Sequence, residues 1–116
     1  LGLPKNTDEE KAKRTEALQQ AYKDAANVPL KIGKIRYGIF DLAYEAVTKG
    51  NKNLITDGAI DAINARAAVK SAFLNVRINL TGIKDANFVK EINSYMNDVE
   101  FQLDKREEEI LKFCKF

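Results

Sequence analysis

A chain of 116 residues and 13.0 kDa is the size of one small domain, and its 45% of hydrophobic residues is material for a single core. Nineteen Lys and Arg against seventeen Asp and Glu leave a net charge of +2 with the signs interspersed, which is a solvated surface and neither a nucleic-acid nor a membrane footprint. The sequence has no histidine, so a Ser-His-Asp triad, a Cys-His pair and a histidine-ligated zinc site are excluded within it, and no metal is expected. Any general acid or base must be Asp, Glu, Lys, Tyr or Cys. The single cysteine, Cys114, permits no intrachain disulfide. With no apolar run of membrane length and no signal-peptide pattern, these features lead us to expect a cytoplasmic protein.

Leu1 to Lys5 reads as the tail of a preceding segment or of a tag. Thr7, Asp8, Glu9 and Glu10 form a capping box, which predicts a helix from Thr7 with an apolar stripe of Leu18, Ala21, Tyr22 and Ala25. Pro29 predicts a kink or restart after Asn27. A second stripe of Ile32, Ile35, Ile39, Leu42, Ala43, Ala46 and Val47 then runs to Lys49, and Gly50 closes that helix. Thr56 or Asp57 is expected to cap a third helix reaching Leu80, with Thr81 and Gly82 ending it. Asp85 caps a fourth, long helix on which Ile92, Met96, Val99, Leu103, Ile110 and Phe113 form a coiled-coil-like seam towards Phe116, with Arg106 filling one turn. No alternating strand pattern occurs. The expectation is an all-α, up-and-down bundle of about four long helices, with seams apolar enough to need a further chain or segment.

At about 100° per residue, Asp57, Asp61, Asn64, Ala68, Ser71, Asn75 and Asn79 fall on one line of the third helix. Arg66, Lys70 and Arg77 lie on the opposite side, which is expected to face water. Apolar residues flank the polar line on both sides, so it is either an internal hydrogen-bonded network or one wall of a ligand pocket. Lys5 with Arg14 is a candidate anion site, although a surface charge pair explains it as well. Tyr22, Tyr37 and Tyr44 read as helix-face aromatics, Cys114 as inert, and Asp104 to Glu109 as a solvated charge run.

Three segments resemble a known family. Leu3, Pro4, Lys5, Thr7, Glu10, Lys11 and Arg14, followed by Ala25, Ala26, Val28, Pro29 and Leu30, are similar to its LPK-x-T-x-EEK-xx-R start and later A-x-VPL. Gly50, Asn51, Asn53 and Asp57 resemble its GN-x-N-xx-SD, with Thr56 in the usual serine position. Asn75, Val76, Ile78, Asn79, Leu80, Ile83 and Asp85 resemble NV-x-INL-xx-I-xD. The family is the cyclodeaminase domain of formiminotransferase-cyclodeaminase with the related methenyltetrahydrofolate cyclohydrolases.

The resemblance implies a dimerising all-α domain that acts on folate, either eliminating ammonia from 5-formiminotetrahydrofolate or opening the 5,10-methenyl ring with water. It starts after the family's glycine-rich segment and the following D-x-x-A-F helix. Residues 1–116 are therefore expected to be the C-terminal portion of such a domain, lacking the segment that carries an acidic residue wanted for the main acid/base role. On this resemblance Asp57 becomes the candidate catalytic residue, and Lys5, Arg14, Asn51, Asn75 and Asn79 become substrate-binding candidates. The expected partners are a tetrahydrofolate derivative as substrate and a second copy in a homodimer or higher homo-oligomer. No tightly bound cofactor, nucleic acid or membrane is expected. The competing reading is a non-catalytic helical interaction module.

Overall fold

The computed structural model describes residues 7–116, and among them every regular element is an α-helix. They are α1 (Asp8–Tyr37), α2 (Ile39–Thr48), α3 (Lys52–Leu80) and α4 (Ala86–Leu111). α1 and α2 form one long helix bent at Gly38, α3 runs back along both, and α4 returns beside them. Three near contacts fix the antiparallel register of α3: a Cβ on Gly82 would meet the Tyr22 ring, one on Gly33 the Phe73 ring, and one on Gly58 the Val47 side chain. The ion pairs Lys23–Asp85 and Asp41–Arg106 set α4 parallel to the bent helix. The particle measures 70 × 23 × 16 Å with a radius of gyration of 19.7 Å. A compact chain of this length would have about 13 Å, so each helix here is covered on only part of its circumference.

Local chemistry explains most of the ends. Thr7 Oγ1 accepts from the Glu10 amide at 3.1 Å, and Asp85 caps α4 by accepting from the Phe88 amide. Gly50 has φ +76°, a conformation that other residues adopt at a cost, and it separates α2 from α3. Gln19 holds the α3–α4 loop: its side chain donates to the Gly82 carbonyl at 3.0 Å and accepts from the Lys84 amide at 2.7 Å.

Two predicted boundaries are corrected. α1 does not end near Asn27 but continues through Pro29 to Tyr37. The proline removes the amide that would bond the Ala25 carbonyl, but Ala25 is exposed, so that acceptor is not cut off from solvent. Ala26, Leu30 and Gly33 around it are buried in the core. α3 is capped by Asn51 rather than by Thr56 or Asp57: Asn51 Oδ1 accepts from the amides of Asn53 and Leu54 at 2.9 and 3.4 Å. Thr56 instead donates its hydroxyl to the Lys52 carbonyl inside the helix.

The core is a single line of Phe40, Val47, Val69, Phe73, Val76, Met96, Leu103 and Ile110, all below 2% exposure. The α4 seam therefore finds its partners within the chain, with Ile92 and Val99 8% and 6% exposed. The large apolar side chains left outside lie mostly on α1 and α3, among them Val28, Ile32, Ile35, Ile60, Leu74 and Ile78. Arg66 and Arg77 do not mark a water-facing side, for both reach α4 to pair with Asp104 and Glu100. Arg106 fills the gap in the α4 seam by lying over the Tyr37 and Phe40 rings while pairing with Asp41 at 2.7 Å. Burial opposes its charge, but the hydrogen bonds to Asp41 and Tyr37 prevail and hold its pKa above the ordinary value.

Two predictions follow from this packing. Gly33→Ala would gain helix propensity of up to ~1 kcal/mol in a free helix, yet its new methyl would sit 2.5 Å from the Phe73 ring. We expect net destabilisation of ~1–3 kcal/mol by urea unfolding, the usual cost of overpacking. Asp85 has a pKa below its ordinary value, first through the hydrogen bond from Lys23 and then through that from the Phe88 amide. A depressed folded pKa contributes stability above the unfolded pKa, and that contribution is lost as pH falls through the folded one. Below pH about 4 the wild-type melting temperature should therefore fall more steeply than that of Asp85→Asn.

Candidate functional site

The polar line on α3 is present but lies on the surface. Asp57, Asp61, Asn64, Ser71 and Asn75 are exposed, and Ala68 and Asn79 are half-buried. The line is about 180° around α3 from Arg66 and Arg77, so it occupies the side away from α4. On α1, Lys23 and Lys34 reach Asp85 and the Tyr95 ring of α4, while Val28 and Ile32 lie roughly half a turn round from them. The polar line of α3 and the apolar line of α1 thus share the face that α4 leaves open.

Of the two alternatives for the line, the internal network is overturned. The bonds along the line stay within α3: Asn79 Nδ2 donates to the Asn75 carbonyl at 2.9 Å, and Ser71 to the Ala67 carbonyl at 2.8 Å. The Asp57 side chain makes no hydrogen bond or ion pair with any described residue, and with Asn51 as the cap it has no capping duty either. Its carboxylate is free to accept from a ligand. Asn75 and Asn79, one turn apart, form a compact group of amides. From Asp57 to Asn75, however, the helix rises about 27 Å, too far for both to bond one pterin ring.

The other candidates scatter. Asn51 is accounted for by its capping bonds. Arg14 lines a groove of about 320 Å³ near the start of α1 with Lys11, Thr15 and Leu18, a cationic recess that suits carboxylates. Lys5 lies outside the described residues. Tyr22 packs on Gly82 and Tyr37 lies beneath Arg106, so both are structural. Tyr44 meets Phe113 edge to face, and these rings with Glu109, Lys112 and Lys115 bound an open pocket of about 600 Å³. Of these residues the sequence reading named Tyr44 as a helix-face aromatic, Phe113 as part of the seam and Glu109 as part of a solvated charge run. The pocket lies at the same end of the bundle as Asp57, since Gly58 meets Ala43 and Val47 on either side of Tyr44, and Cys114 beside it is half-buried.

An all-helical bundle with an uncovered row of carboxylates and amides is the class of protein defined so far, and comparison makes it particular. The sequence profile described as Formiminotransferase-cyclodeaminase matches residues 1–98. The methenyltetrahydrofolate cyclohydrolase of Methylorubrum extorquens is 44% identical over 90 residues, covering 78% of this chain and 43% of that protein. The formimidoyltransferase-cyclodeaminases of Rattus norvegicus and Gallus gallus are 33% and 37% identical, over 88% and 78% of this chain but only 20% and 17% of their own lengths. This chain belongs to the formiminotransferase-cyclodeaminase family. It spans less than half the length of these curated relatives. Asp57, Asn75, Asn79 and Arg14 fall within the matched region, whereas most of the wall of the Tyr44–Phe113 pocket lies beyond residue 98.

Stability measurements separate structural from site residues here. Asn51→Ala should cost ~0.5–2 kcal/mol and Asn51→Ser almost nothing, because serine caps comparably. Asp57→Asn should change stability by less than ~0.5 kcal/mol, as at an ordinary exposed position. A loss at Asp57 equal to that at Asn51→Ala would return Asp57 to a structural role.

Proposed function

We propose that this chain is the C-terminal part of a folate-converting domain, acting in one-carbon metabolism as a formiminotetrahydrofolate cyclodeaminase or a methenyltetrahydrofolate cyclohydrolase. What carries the reading is Asp57: an exposed carboxylate without a partner among the described residues, within the stretch that matches the family, on the same line of α3 as Asn75 and Asn79. The names of the relatives supply the two reactions. In deamination, N10 attacks the formimino carbon and ammonia leaves to give the 5,10-methenyl ring. In hydrolysis, water adds to the same carbon and a ring C–N bond opens.

Both reactions pass through a tetrahedral carbon and need a base for the attacking atom's proton and an acid for the leaving nitrogen. Asp57 is assigned the base, and the acid belongs to the remainder of the complete domain. Asn75 and Asn79 present amides that pair with the amide and amino edges of a reduced pterin, while Arg14, Lys11 and Lys5 meet the glutamate carboxylates. The substrate is the only organic ligand required. The protein is further proposed to be cytoplasmic and self-associating. No helix of the described residues is long and apolar enough to cross a membrane.

A non-catalytic interaction module remains the second reading, favoured by the exposed Ile60, Leu74 and Ile78. Turnover decides between them. In the complete domain, Asp57→Asn should cut deamination or hydrolysis by ~10²-fold or more while the melting temperature stays unchanged. Asn75→Ala and Asn79→Ala should mainly raise the Kd for tetrahydrofolate. The isolated chain should turn over weakly or not at all. Full wild-type kinetics in Asp57→Asn would remove the catalytic assignment, and a folded complete domain without folate affinity would leave the interaction module.

A further inference from the structure

We propose that the pocket between Tyr44 and Phe113 is a second binding site, which takes a planar aromatic ring carrying carboxylates. It shares an end of the bundle with Asp57 but is walled by the end of α4, from which Asp57 faces away, so the two are separate surfaces. Glu109 belongs to the last turn of α4, and Lys112, Phe113 and Lys115 follow it. All four lie beyond the stretch that matches the family, so membership of the family leaves the pocket unexplained. Its volume of about 600 Å³ is that of a small-molecule site.

The wall divides into two chemistries. Tyr44 and Phe113 meet edge to face with their centroids 6.1 Å apart, and Phe113 is packed against the core, which fixes one side of the pocket. Tyr44 is 46% exposed and offers ring surface for a planar ligand to cover. Around the rings stand Lys112, Lys115 and Glu109, and the side chains of all three are without a hydrogen bond or ion pair among the described residues. Two cations against one anion leave the wall net positive, and a carboxylate is the group that pairs with free ammoniums. The end of a helix ordinarily opposes an anion through its unpaired carbonyls. Here the carbonyls of Glu108, Ile110, Leu111 and Phe113 accept from the amides of Lys112, Phe113, Cys114 and Lys115 at 3.0 to 3.2 Å, which weakens that opposition. An aliphatic acid would leave the rings uncovered, and an aromatic amine would set a third cation beside the lysines. The p-aminobenzoylglutamate arm of a folate combines ring and carboxylates, and so does a free aromatic acid.

Calorimetric titration of the 116-residue chain with p-aminobenzoylglutamate and with 4-aminobenzoate tests the site. Saturable binding is expected, and the tighter of the two probes names the source, a folate arm or a free aromatic acid. Glutamate, which has the carboxylates without the ring, should bind at least ~10-fold more weakly than p-aminobenzoylglutamate. Replacing both lysines, Lys112→Ala with Lys115→Ala, should weaken binding ~5-fold or more, whereas Lys112→Arg with Lys115→Arg should change it by less than about twofold. Glu109→Gln should tighten it by about twofold or more, because a like charge is removed. All are surface changes, and circular dichroism verifies that each variant folds. Absence of binding by either probe at about 10 mM, equal binding of glutamate, indifference to the lysine replacements, or weaker binding in Glu109→Gln would each overturn the site. The titrations involve no turnover, so failure of the pocket and failure of the catalytic reading of Asp57 are read from different measurements.

Discussion

How closely α3 lies against the bent α1–α2 helix governs the rest of the molecule. The approach is set by two glycines on different helices, Gly33 against Phe73 and Gly58 against Val47 and the Ala43 carbonyl, where a Cβ would fall at 2.5 and 2.8 Å from its neighbours. With Ala62, Ala65 and Ala72 completing the buried flank of α3, the two long helices approach almost backbone to backbone. Close packing of small residues buries little apolar area per residue. The large side chains are therefore concentrated where α4 enters, at Phe73, Met96, Leu103 and Ile110. A fold of this kind is long and thin, and its open side is decided by where the single covering helix goes.

Arginine places that covering helix as much as the apolar seam does. Arg66, Arg77 and Arg106 each cross between helices, to Asp104, Glu100 and Asp41 respectively. Exposed pairs of this sort contribute ~0–1 kcal/mol each, so they set register rather than supply much stability. Arg106 contributes differently, because its guanidinium also covers the Tyr37 and Phe40 rings at the bend after Tyr37. The bend at Gly38 and the interruption of the α4 seam are thus one feature, a cation set into an aromatic notch.

The sequence was legible wherever the determining chemistry was local. Thr7, Gly50 and Asp85 act through bonds or dihedral angles within a few residues, and they end or begin helices as expected. Pro29 and Thr56 misled for the same reason in reverse: each has a local preference that packing elsewhere overrode. Around Pro29 the cost of a lost bond is offset by the buried Ala26 and Leu30. At Thr56 the cap was pre-empted by Asn51, whose side chain serves two amides where serine or threonine usually serves one. The alignment of Asp57, Asn75 and Asn79 was also legible, being a property of helix period alone. Whether that line faces core or solvent was not. It depends on which side α4 covers, and Arg66 and Arg77, read as solvent markers, in fact point to α4.

An exposed polar line beside exposed aliphatic side chains is an unusual surface for a chain complete in itself. Charged residues line a solvated helix face because each charge is well hydrated and nothing is gained by covering it. Asparagine, serine and alanine offer no such advantage, while isoleucine and leucine at half exposure or more forfeit the free energy of burial. The combination is economical only if the face is covered by something that pairs the polar groups while burying the aliphatic ones. The relatives are more than twice as long as the stretch they share with this chain, so further polypeptide is available to their folds.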